Sequence, residues 1–244
     1  KDPEGSKKKS LQALEQHIVR YPQQHAIMCI ELIQGEGGFY TAPPSYFKSI
    51  IDVLKKHCIG VWLDEVQSFA RTEDLFCYHH YGLKNLADVV SIGKVSQVCA
   101  TLFTKEYAPK PGLLSQTFTA STSALYASYF LINYALEHNF FGKHGVINRL
   151  HESFAKRLAE LSKRYPNAIQ GPFGIGAMIA FTVLDGSAEK VTDYLQKLFE
   201  NGVIGFIAGS NPCRVRFLVP VGVLTDHDID KIFAIIEKTL HECL

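Results

Sequence analysis

Short apolar segments on either side of an amphipathic stretch constrain the fold of this chain more than any other feature. Residues 26–33 (A-I-M-C-I-E-L-I) and 59–63 (I-G-V-W-L) are apolar runs of strand length, typical of strands buried on both faces of a parallel sheet. Two more such runs follow at 87–92 and 98–103. The stretch between the first two runs carries an apolar stripe at helical spacing, formed by Tyr46, Phe47, Ile50, Ile51 and Leu54. Strand, helix and strand in this order predict a right-handed βαβ unit, and so an α/β fold with a mostly parallel sheet and flanking helices.

The pattern changes after about residue 119. Residues 124–136 (A-L-Y-A-S-Y-F-L-I-N-Y-A-L) predict a long, largely buried helix, because they are apolar on nearly every side. An amphipathic helix follows, with its apolar stripe at Ile147, Leu150, Phe154, Leu158 and Leu161. Further strands are predicted at 176–183, 203–207 and 213–219, and helices at 188–200 and 226–241. The last helix begins at T-D-H-D, a sequence of the capping-box type.

This change of rhythm predicts two domains. The boundary is expected near residues 140–145, in the polar stretch H-N-F-F-G-K-H-G. We therefore expect a first domain at residues 1–142 and a smaller C-terminal α+β domain at residues 143–244.

Composition excludes several classes of function. The net charge of +1 gives no electrostatic reason to expect nucleic acid or membrane binding, and no apolar run reaches the ~18–20 residues that span a bilayer. The six cysteines are scattered without a C-x-x-C motif, which predicts reduced thiols in a cytoplasmic protein and neither disulfides nor a metal site. The segment G-P-F-G-I-G at 171–176 does not match a nucleotide-binding loop and predicts a turn before a strand.

Charged residues follow three of the predicted strands at their carboxyl ends. Glu36 follows the first apolar run, Asp64 the second and Lys94 the third. Because ligands bind at the carboxyl ends of parallel strands, the three side chains are expected at one edge of the sheet. Each also has a simpler interpretation: Glu36 as a turn residue, Asp64 as the N-cap of a helix, and Lys94 as a solvated lysine.

An amine and a carboxylate at one site suggest a particular chemistry. Burial disfavours the charged form of a lysine, and a neutral lysine can form a Schiff base with a carbonyl. A carboxylate in the same pocket can hold a protonated pyridine nitrogen, which is how proteins make pyridoxal 5′-phosphate (PLP) an electron sink.

The segments E-L-I-Q-G-E-G-G-F-Y, W-L-D-E-V-Q-S and S-I-G-K resemble those of class III aminotransferases, which are fold-type-I PLP enzymes. This family includes the acetylornithine, ornithine, 4-aminobutyrate and lysine ε-aminotransferases. The resemblance covers the chain in the right order and spacing. It implies that the first domain is the C-terminal part of the PLP-binding large domain, and that residues 143–244 form the small domain.

The resemblance also implies roles for individual residues. Lys94 would be the Schiff-base lysine and proton shuttle, and Asp64 the partner of the pyridinium nitrogen. Four other residues would complete the recognition of cofactor and substrate: Val66 on the ring face, Gln67 near the phenolic oxygen, Thr117 on the cofactor phosphate of the neighbouring subunit, and Arg216 on a substrate α-carboxylate. Glu36 would pair with Arg216 when an ω-amino substrate is bound. The simpler interpretation of Arg216 is a surface arginine at the strand edge, and Arg214 beside it is the candidate for that role.

The resemblance implies transfer of an amino group from an ω-amino donor, such as lysine, ornithine, acetylornithine or 4-aminobutyrate, to a 2-oxo acid such as 2-oxoglutarate. A homodimer with the site at its interface is expected. A PLP mutase or decarboxylase of the same fold is the nearest rival. A different class of rival is an inactive fragment that serves as a folded or dimerising module, because the chain begins at Lys1 and has no counterpart of the family's N-terminal part. The family's G-G-N-P is T-A-S-T-S in this chain, a departure that bears on substrate detail.

Overall fold

The structure is a computed structural model that describes residues 2–114, 117 and 119–244. The helices are α1 (Pro3–Arg20), α2 (Pro44–Lys56), α3 (Cys77–His80), α4 (Thr122–Glu137), α5 (Val146–Arg164), α6 (Ala188–Glu200) and α7 (Asp226–His241). The strands are β1 (Ile27–Ile30), β2 (Gly60–Glu65), β3 (Val89–Ile92), β4 (Ala100–Phe103), β5 (Ile169–Phe173), β6 (Met178–Val183), β7 (Phe206–Ala208) and β8 (Arg214–Leu218). Short 3-10 turns lie at Lys94–Ser96 and Lys105–Tyr107.

These elements form two compact units. The first comprises Lys1–Leu32, Ala42–Phe69 and Phe76–Leu131, and the second comprises Ile33–Thr41, Ala70–Leu75 and Ile132–Leu244. The domain division after residue 142 that the sequence suggests stays a prediction.

The first unit is built on a four-stranded sheet in the order β1-β2-β3-β4. Strands β1, β2 and β3 are parallel, whereas β4 pairs with β3 in the antiparallel sense. Helix α2 connects β1 to β2 and buries the predicted apolar stripe, including Ile51 and Leu54. The predicted βαβ unit and the mostly parallel sheet are therefore confirmed.

Helix α1 was not predicted from the lysine-rich start of the sequence. Its N-cap is Asp2, whose Oδ1 accepts a hydrogen bond from the Gly5 N–H at 2.9 Å, and Pro3 occupies the first helical position. This is a favourable start for a helix, because proline lacks the N–H that would be unsatisfied there. Only Ile18 is buried in α1, so the helix lacks the apolar periodicity that would have revealed it.

The second unit contains an antiparallel sheet in the order β5-β6-β8-β7, with α5 and α6 packed on it and α7 packed against both of these helices. Every residue of β6 is buried, and its Phe181 packs against Tyr194 of α6 and Phe217 of β8. The predicted apolar stripe of α5 is buried along its whole length. Helix α7 begins with a complete capping box between Thr225 and Asp228, as predicted.

Helix α4 differs from its prediction. Its apolar composition predicted burial, but Ser128 is its only described residue that is buried. Large side chains are exposed instead, among them Tyr126 (71%), Tyr129 (68%) and Phe130 (61%). The prediction of a largely buried helix is therefore wrong for the described residues. No helix among the described residues has the length and apolarity that a membrane span requires.

Candidate active site

Asp64 lies near the carboxyl end of β2, where its carboxylate is held by one oxygen. Its Oδ1 accepts hydrogen bonds from the Val66 N–H at 2.9 Å and the Ser91 hydroxyl at 3.3 Å. Ser91 in turn accepts a hydrogen bond from Trp62 Nε1 at 3.0 Å. Ser91 is the register partner of Asp64 on the neighbouring strand β3, so the pairing of the two strands fixes the relative positions of these hydrogen-bonded side chains.

The simpler interpretation of Asp64 as a helix cap does not hold. The residues after β2 form turns, and the next helix begins at Cys77. The second oxygen, Oδ2, accepts no hydrogen bond within the described part of the chain. Asp64 is half-buried, and this oxygen remains able to accept a hydrogen bond from a ligand.

Strand β3 ends at Ile92, and Lys94 begins a 3-10 turn whose N-cap is Gly93. The φ of Lys94 is +54°, in the left-handed region that residues other than glycine adopt infrequently. Gln97, with φ +61°, closes the turn and donates to the Lys94 carbonyl from its backbone N–H at 3.0 Å and its side chain at 3.2 Å. The Lys94 side chain is exposed, so the burial that the sequence suggested is not observed.

Asp64 and Lys94 thus occupy the carboxyl ends of adjacent parallel strands. Asp64 is opposite Ser91 and Glu65 is opposite Ile92, so the two strands end side by side. Val66 lies at the same end: a Cβ built on Gly93 would come within 3.1 Å of Val66 Cγ1. Gln67 is buried, with 8% of its surface exposed.

Glu65, the neighbour of Asp64 in sequence, was not singled out by sequence reasoning. It is fully buried, and its two carboxylate oxygens accept hydrogen bonds from the N–H groups of Cys77 at 2.8 Å and Tyr78 at 2.7 Å. Burial raises the pKa of Glu65 to about 7; the two hydrogen bonds act in the opposite direction, and the charge of Asp64 adds to the increase. An acid placed inside an apolar strand was the signal that could have revealed it.

Glu36 and Arg216 form an ion pair within the second unit. The Arg216 side chain on β8 is 9% exposed, whereas that of Glu36 is 79% exposed. The Arg216 guanidinium also lies 5.9 Å from the centre of the Phe39 ring. The structure therefore brings together the two residues that the resemblance pairs, with the acid on the solvent side.

Arg214 differs from its prediction as a surface arginine. It is 5% exposed, and burial lowers its pKa. Its Nη1 donates a hydrogen bond to the Gly38 carbonyl at 2.5 Å, and its guanidinium carbon lies 4.0 Å from the Tyr40 ring centre and 3.7 Å from that of Phe173. The prediction is wrong because residues 38–40, far away in sequence, cover this part of β8.

Thr117 is described and exposed, whereas its neighbours Ser115, Gln116 and Phe118 lie outside the described residues. Its predicted contact with a cofactor phosphate stays a prediction. Asp64 and Lys94 belong to the first unit, and Glu36 and Arg216 to the second. The prediction that Glu36 shares an edge with Asp64 and Lys94 likewise stays a prediction.

Comparison with known proteins gives a consistent result. Residues 2–240 match the sequence profile of the family described as Aminotransferase class-III. An acetylornithine aminotransferase of Archaeoglobus fulgidus is 30% identical over 219 residues, which are 86% of this chain and 52% of that protein. A 5-aminovalerate aminotransferase of Pseudomonas putida is 31% identical over 234 residues, covering 91% of this chain and 53% of that protein.

Among solved structures, a lysine aminotransferase of M. tuberculosis matches with a TM-score of 0.86 at 23% identity. The match covers 98% of this chain and 54% of that one, and at this identity it establishes the fold alone. The chain spans about half the length of the curated relatives it matches. Since the family profile extends over nearly all of its residues, the chain belongs to the class III aminotransferase family.

Proposed function

We propose that the protein carrying this chain is a PLP-dependent aminotransferase that moves an amino group from an ω-amino donor to a 2-oxo acid, with 2-oxoglutarate as the proposed acceptor. The observation that carries the proposal is the position of Asp64 and Lys94 at the carboxyl ends of the adjacent parallel strands β2 and β3. Family membership supports the reaction type, and residues 1–142 and 143–244 are proposed as the large-domain part and the small domain.

The residues around Asp64 fit PLP by their chemistry. A protonated pyridine nitrogen needs a fixed anion, and Asp64 is held at Oδ1 by Val66 N–H and Ser91 while Oδ2 accepts nothing from the described residues. Val66 offers methyl groups beside Gly93 for the face of an aromatic ring. Gln67 offers an amide for the phenolic oxygen.

Lys94 is proposed to attach PLP covalently through Nζ and to carry the proton that moves during transamination. Its left-handed backbone supports a functional role, because strained residues of this kind concentrate at active sites. When bound, PLP supplies an electron sink for charge that develops on the substrate α-carbon. Asp64 keeps the ring nitrogen protonated, and Lys94 Nζ takes up and returns the proton.

The Glu36–Arg216 pair is proposed to accommodate two kinds of substrate. A guanidinium binds a carboxylate through two hydrogen bonds. With Glu36 paired, the charge of Arg216 is neutralised, which suits an ω-amino donor without a carboxylate at that position. The exposed Glu36 side chain can move away, which frees Arg216 for the carboxylate of a 2-oxo acid.

A homodimer is also proposed. Helix α4 exposes several aromatic side chains, and exposed apolar patches of this kind mark interaction surfaces. Thr117 would then contact the cofactor phosphate of the neighbouring subunit. Cytoplasmic location stays a prediction.

The test is a visible spectrum of the protein carrying this chain after addition of PLP, before and after borohydride reduction. A visible band that borohydride removes, with PLP mass trapped on the Lys94 peptide, is expected. The band should be absent in Lys94→Ala and retained in Lys105→Ala, a matched control because Lys105 is also an exposed lysine at the start of a 3-10 turn.

Three outcomes separate the candidate functions. A colourless wild-type protein would contradict the proposal and support a non-catalytic module. A coloured protein that does not convert 2-oxoglutarate to glutamate with any ω-amine would support a mutase or decarboxylase. Conversion that requires both Lys94 and an ω-amine supports transamination.

A further inference from the structure

Arg214 is a buried cation that has no acidic partner in the part of the chain that the structure describes. Its contacts are the Gly38 carbonyl and the rings of Tyr40 and Phe173. Its Nε is buried and donates no hydrogen bond to any described atom. Burying a charge without a counter-charge is unfavourable. A contribution to the stability of β8 alone therefore does not explain the presence of Arg214 at this position.

Arg214 and Gly209 hold the backbone on both sides of Gly37. The Gly209 N–H donates to the Glu36 carbonyl at 2.8 Å, and Arg214 Nη1 donates to the Gly38 carbonyl at 2.5 Å. The two hydrogen bonds therefore fix the peptide that carries Glu36. Loss of either would remove one of these two backbone attachments between residues 36–38 and the β7–β8 region.

The held backbone is in an unfavourable conformation. Gly38 has φ +107° and Phe39 has φ +58°, and the latter is strained because it carries a side chain. The turn is closed by a hydrogen bond from the Phe39 N–H to the Gln34 carbonyl at 2.8 Å. Such a conformation persists only where surrounding contacts impose it, and Arg214 supplies contacts to both Gly38 and Tyr40.

We propose that Arg214 is a positioning residue that holds the segment 36–40 in place so that Glu36 meets Arg216, and that it thereby sets the preference of Arg216 between an uncharged substrate end and a carboxylate. The inference rests on the proposed function, in which Glu36 covers Arg216 for ω-amino donors. Arg214 itself touches neither substrate nor cofactor in this role.

The proposed role of Arg214 predicts the direction in which the substrate preference changes when Arg214 is replaced. When Arg214 is removed, Glu36 pairs with Arg216 for a smaller fraction of the time. Reaction with an ω-amino donor then becomes slower, because the donor meets an uncovered guanidinium. A 2-oxo acid is not disfavoured, since it competes with Glu36 for Arg216. A purely structural role would lower reaction with both substrates alike.

The planar guanidinium, and not its charge alone, performs this role. Lysine keeps the charge but lacks the flat group that contacts two rings and a carbonyl together. Arg214→Lys and Arg214→Met are therefore both expected to weaken the attachment of residues 36–40 to β8, which we call the tether. Phe173→Leu removes one of the two ring contacts and leaves Arg214 in place, so a smaller change of the same sign is expected from it.

The experiment combines kinetics with hydrogen exchange in the protein carrying this chain. In the two Arg214 variants, the ratio of kcat/KM for the ω-amine to kcat/KM for 2-oxoglutarate is expected to fall about tenfold, the size of effect that loss of one hydrogen bond from a charged donor produces. Amide exchange at Phe39, measured without substrate, is expected to accelerate by about the same factor. Arg164→Met, at an exposed arginine paired with Glu237, should change neither quantity.

Each outcome decides the matter. Unchanged Phe39 exchange in both Arg214 variants, or equal losses of kcat/KM for both substrates, would overturn the proposal. If the Arg214 variants do not fold, Phe173→Leu gives the same two readouts, and no shift in it counts against the proposal. If the wild-type protein shows no transamination, both the proposed function and the role of Arg214 in substrate preference fail. The amide exchange rates at Phe39 would still show whether Arg214 holds residues 36–40 in place.

Discussion

Glu65 allows the contribution of one buried carboxyl group to stability to be predicted as a function of pH. The group is fully buried in β2 and receives N–H hydrogen bonds from Cys77 and Tyr78. Its pKa rises from an ordinary value of 4.5 to about 7, with burial as the largest cause. The perturbation is Glu65→Gln, which keeps the shape and cannot titrate.

The direction of the effect follows from proton binding. Below pH 4.5 the carboxyl group is protonated in both the folded and the unfolded chain. Between pH 4.5 and 7 the folded chain keeps a proton that the unfolded chain has released, so the free energy of unfolding falls as the pH rises. The loss is complete at about pH 8, where the folded chain has also released the proton. With ~1.36 kcal/mol for each unit of pKa difference, about 2.5 kcal/mol is lost between pH 5 and pH 8.

The assay is denaturant unfolding followed by the fluorescence of Trp62, the single tryptophan of the chain. Trp62 lies three residues before Glu65 on β2, so it reports on the unit that contains the carboxyl group. The free energy of unfolding of the wild type minus that of Glu65→Gln is expected to fall by about 2.5 kcal/mol from pH 5 to pH 8. Taking the difference cancels the other titrating groups.

Glu15→Gln is the matched control, since Glu15 is exposed on α1 of the same unit. A fall of the same size in both variants would show that the effect does not come from burial of Glu65. A flat or rising difference for Glu65→Gln would refute the reasoning, because it would mean that the two N–H donors outweigh burial and keep Glu65 ionised.

Two further predictions concern the second unit. Phe181→Ala should lower the free energy of unfolding by about 3–5 kcal/mol, because it empties a fully buried site between Tyr194 and Phe217; a loss below about 1.5 kcal/mol, measured by denaturation followed by circular dichroism, would contradict the packing. Thr225→Ala should lower it by about 1 kcal/mol through loss of the capping box of α7. Ser187→Ala is its control, since Ser187 is an N-cap without a side-chain hydrogen bond, and equal losses at the two sites would count against the cap.

The sequence was most informative where local pattern and tertiary packing agree. The stripe of α5 and the capping box of α7 depend on residues within a few positions of one another, so periodicity and cap residues were sufficient. Strand β5 was missed for the converse reason. Its sequence I-Q-G-P-F contains Gly171 and Pro172, which favour a turn, yet it forms an edge strand whose pairing with β6 shifts register between Gln170 and Phe173.

Burial of charged residues was the property that the sequence predicted least well. The segment R-V-R-F-L alternates charged and apolar residues, which is typical of a strand with one exposed face. In the structure both faces are covered near Arg214 and Arg216, because a segment around Gly38 and Phe39 packs on the charged side. Because residues about 180 positions earlier bury these two arginines, the local sequence pattern does not predict their burial.

Asp64 and Glu65 illustrate why satisfaction of hydrogen bonds separates a chemical role from a structural one better than position does. Successive residues of a strand point to opposite faces, so the two acids of D-E enter different surroundings although they are adjacent in sequence. Glu65 is fully buried and has each oxygen hydrogen-bonded to a backbone N–H group, so a ligand that displaced either group would leave a buried donor unpaired. Asp64 is anchored through Oδ1, which fixes its direction without using Oδ2.

The same criterion distinguishes the two arginines of β8. Arg214 uses its guanidinium to contact Gly38 and two rings, whereas Arg216 is paired with Glu36, whose side chain is exposed. In each pair, the residue for which we propose a chemical role is the one that can bind a ligand without leaving a buried group unpaired.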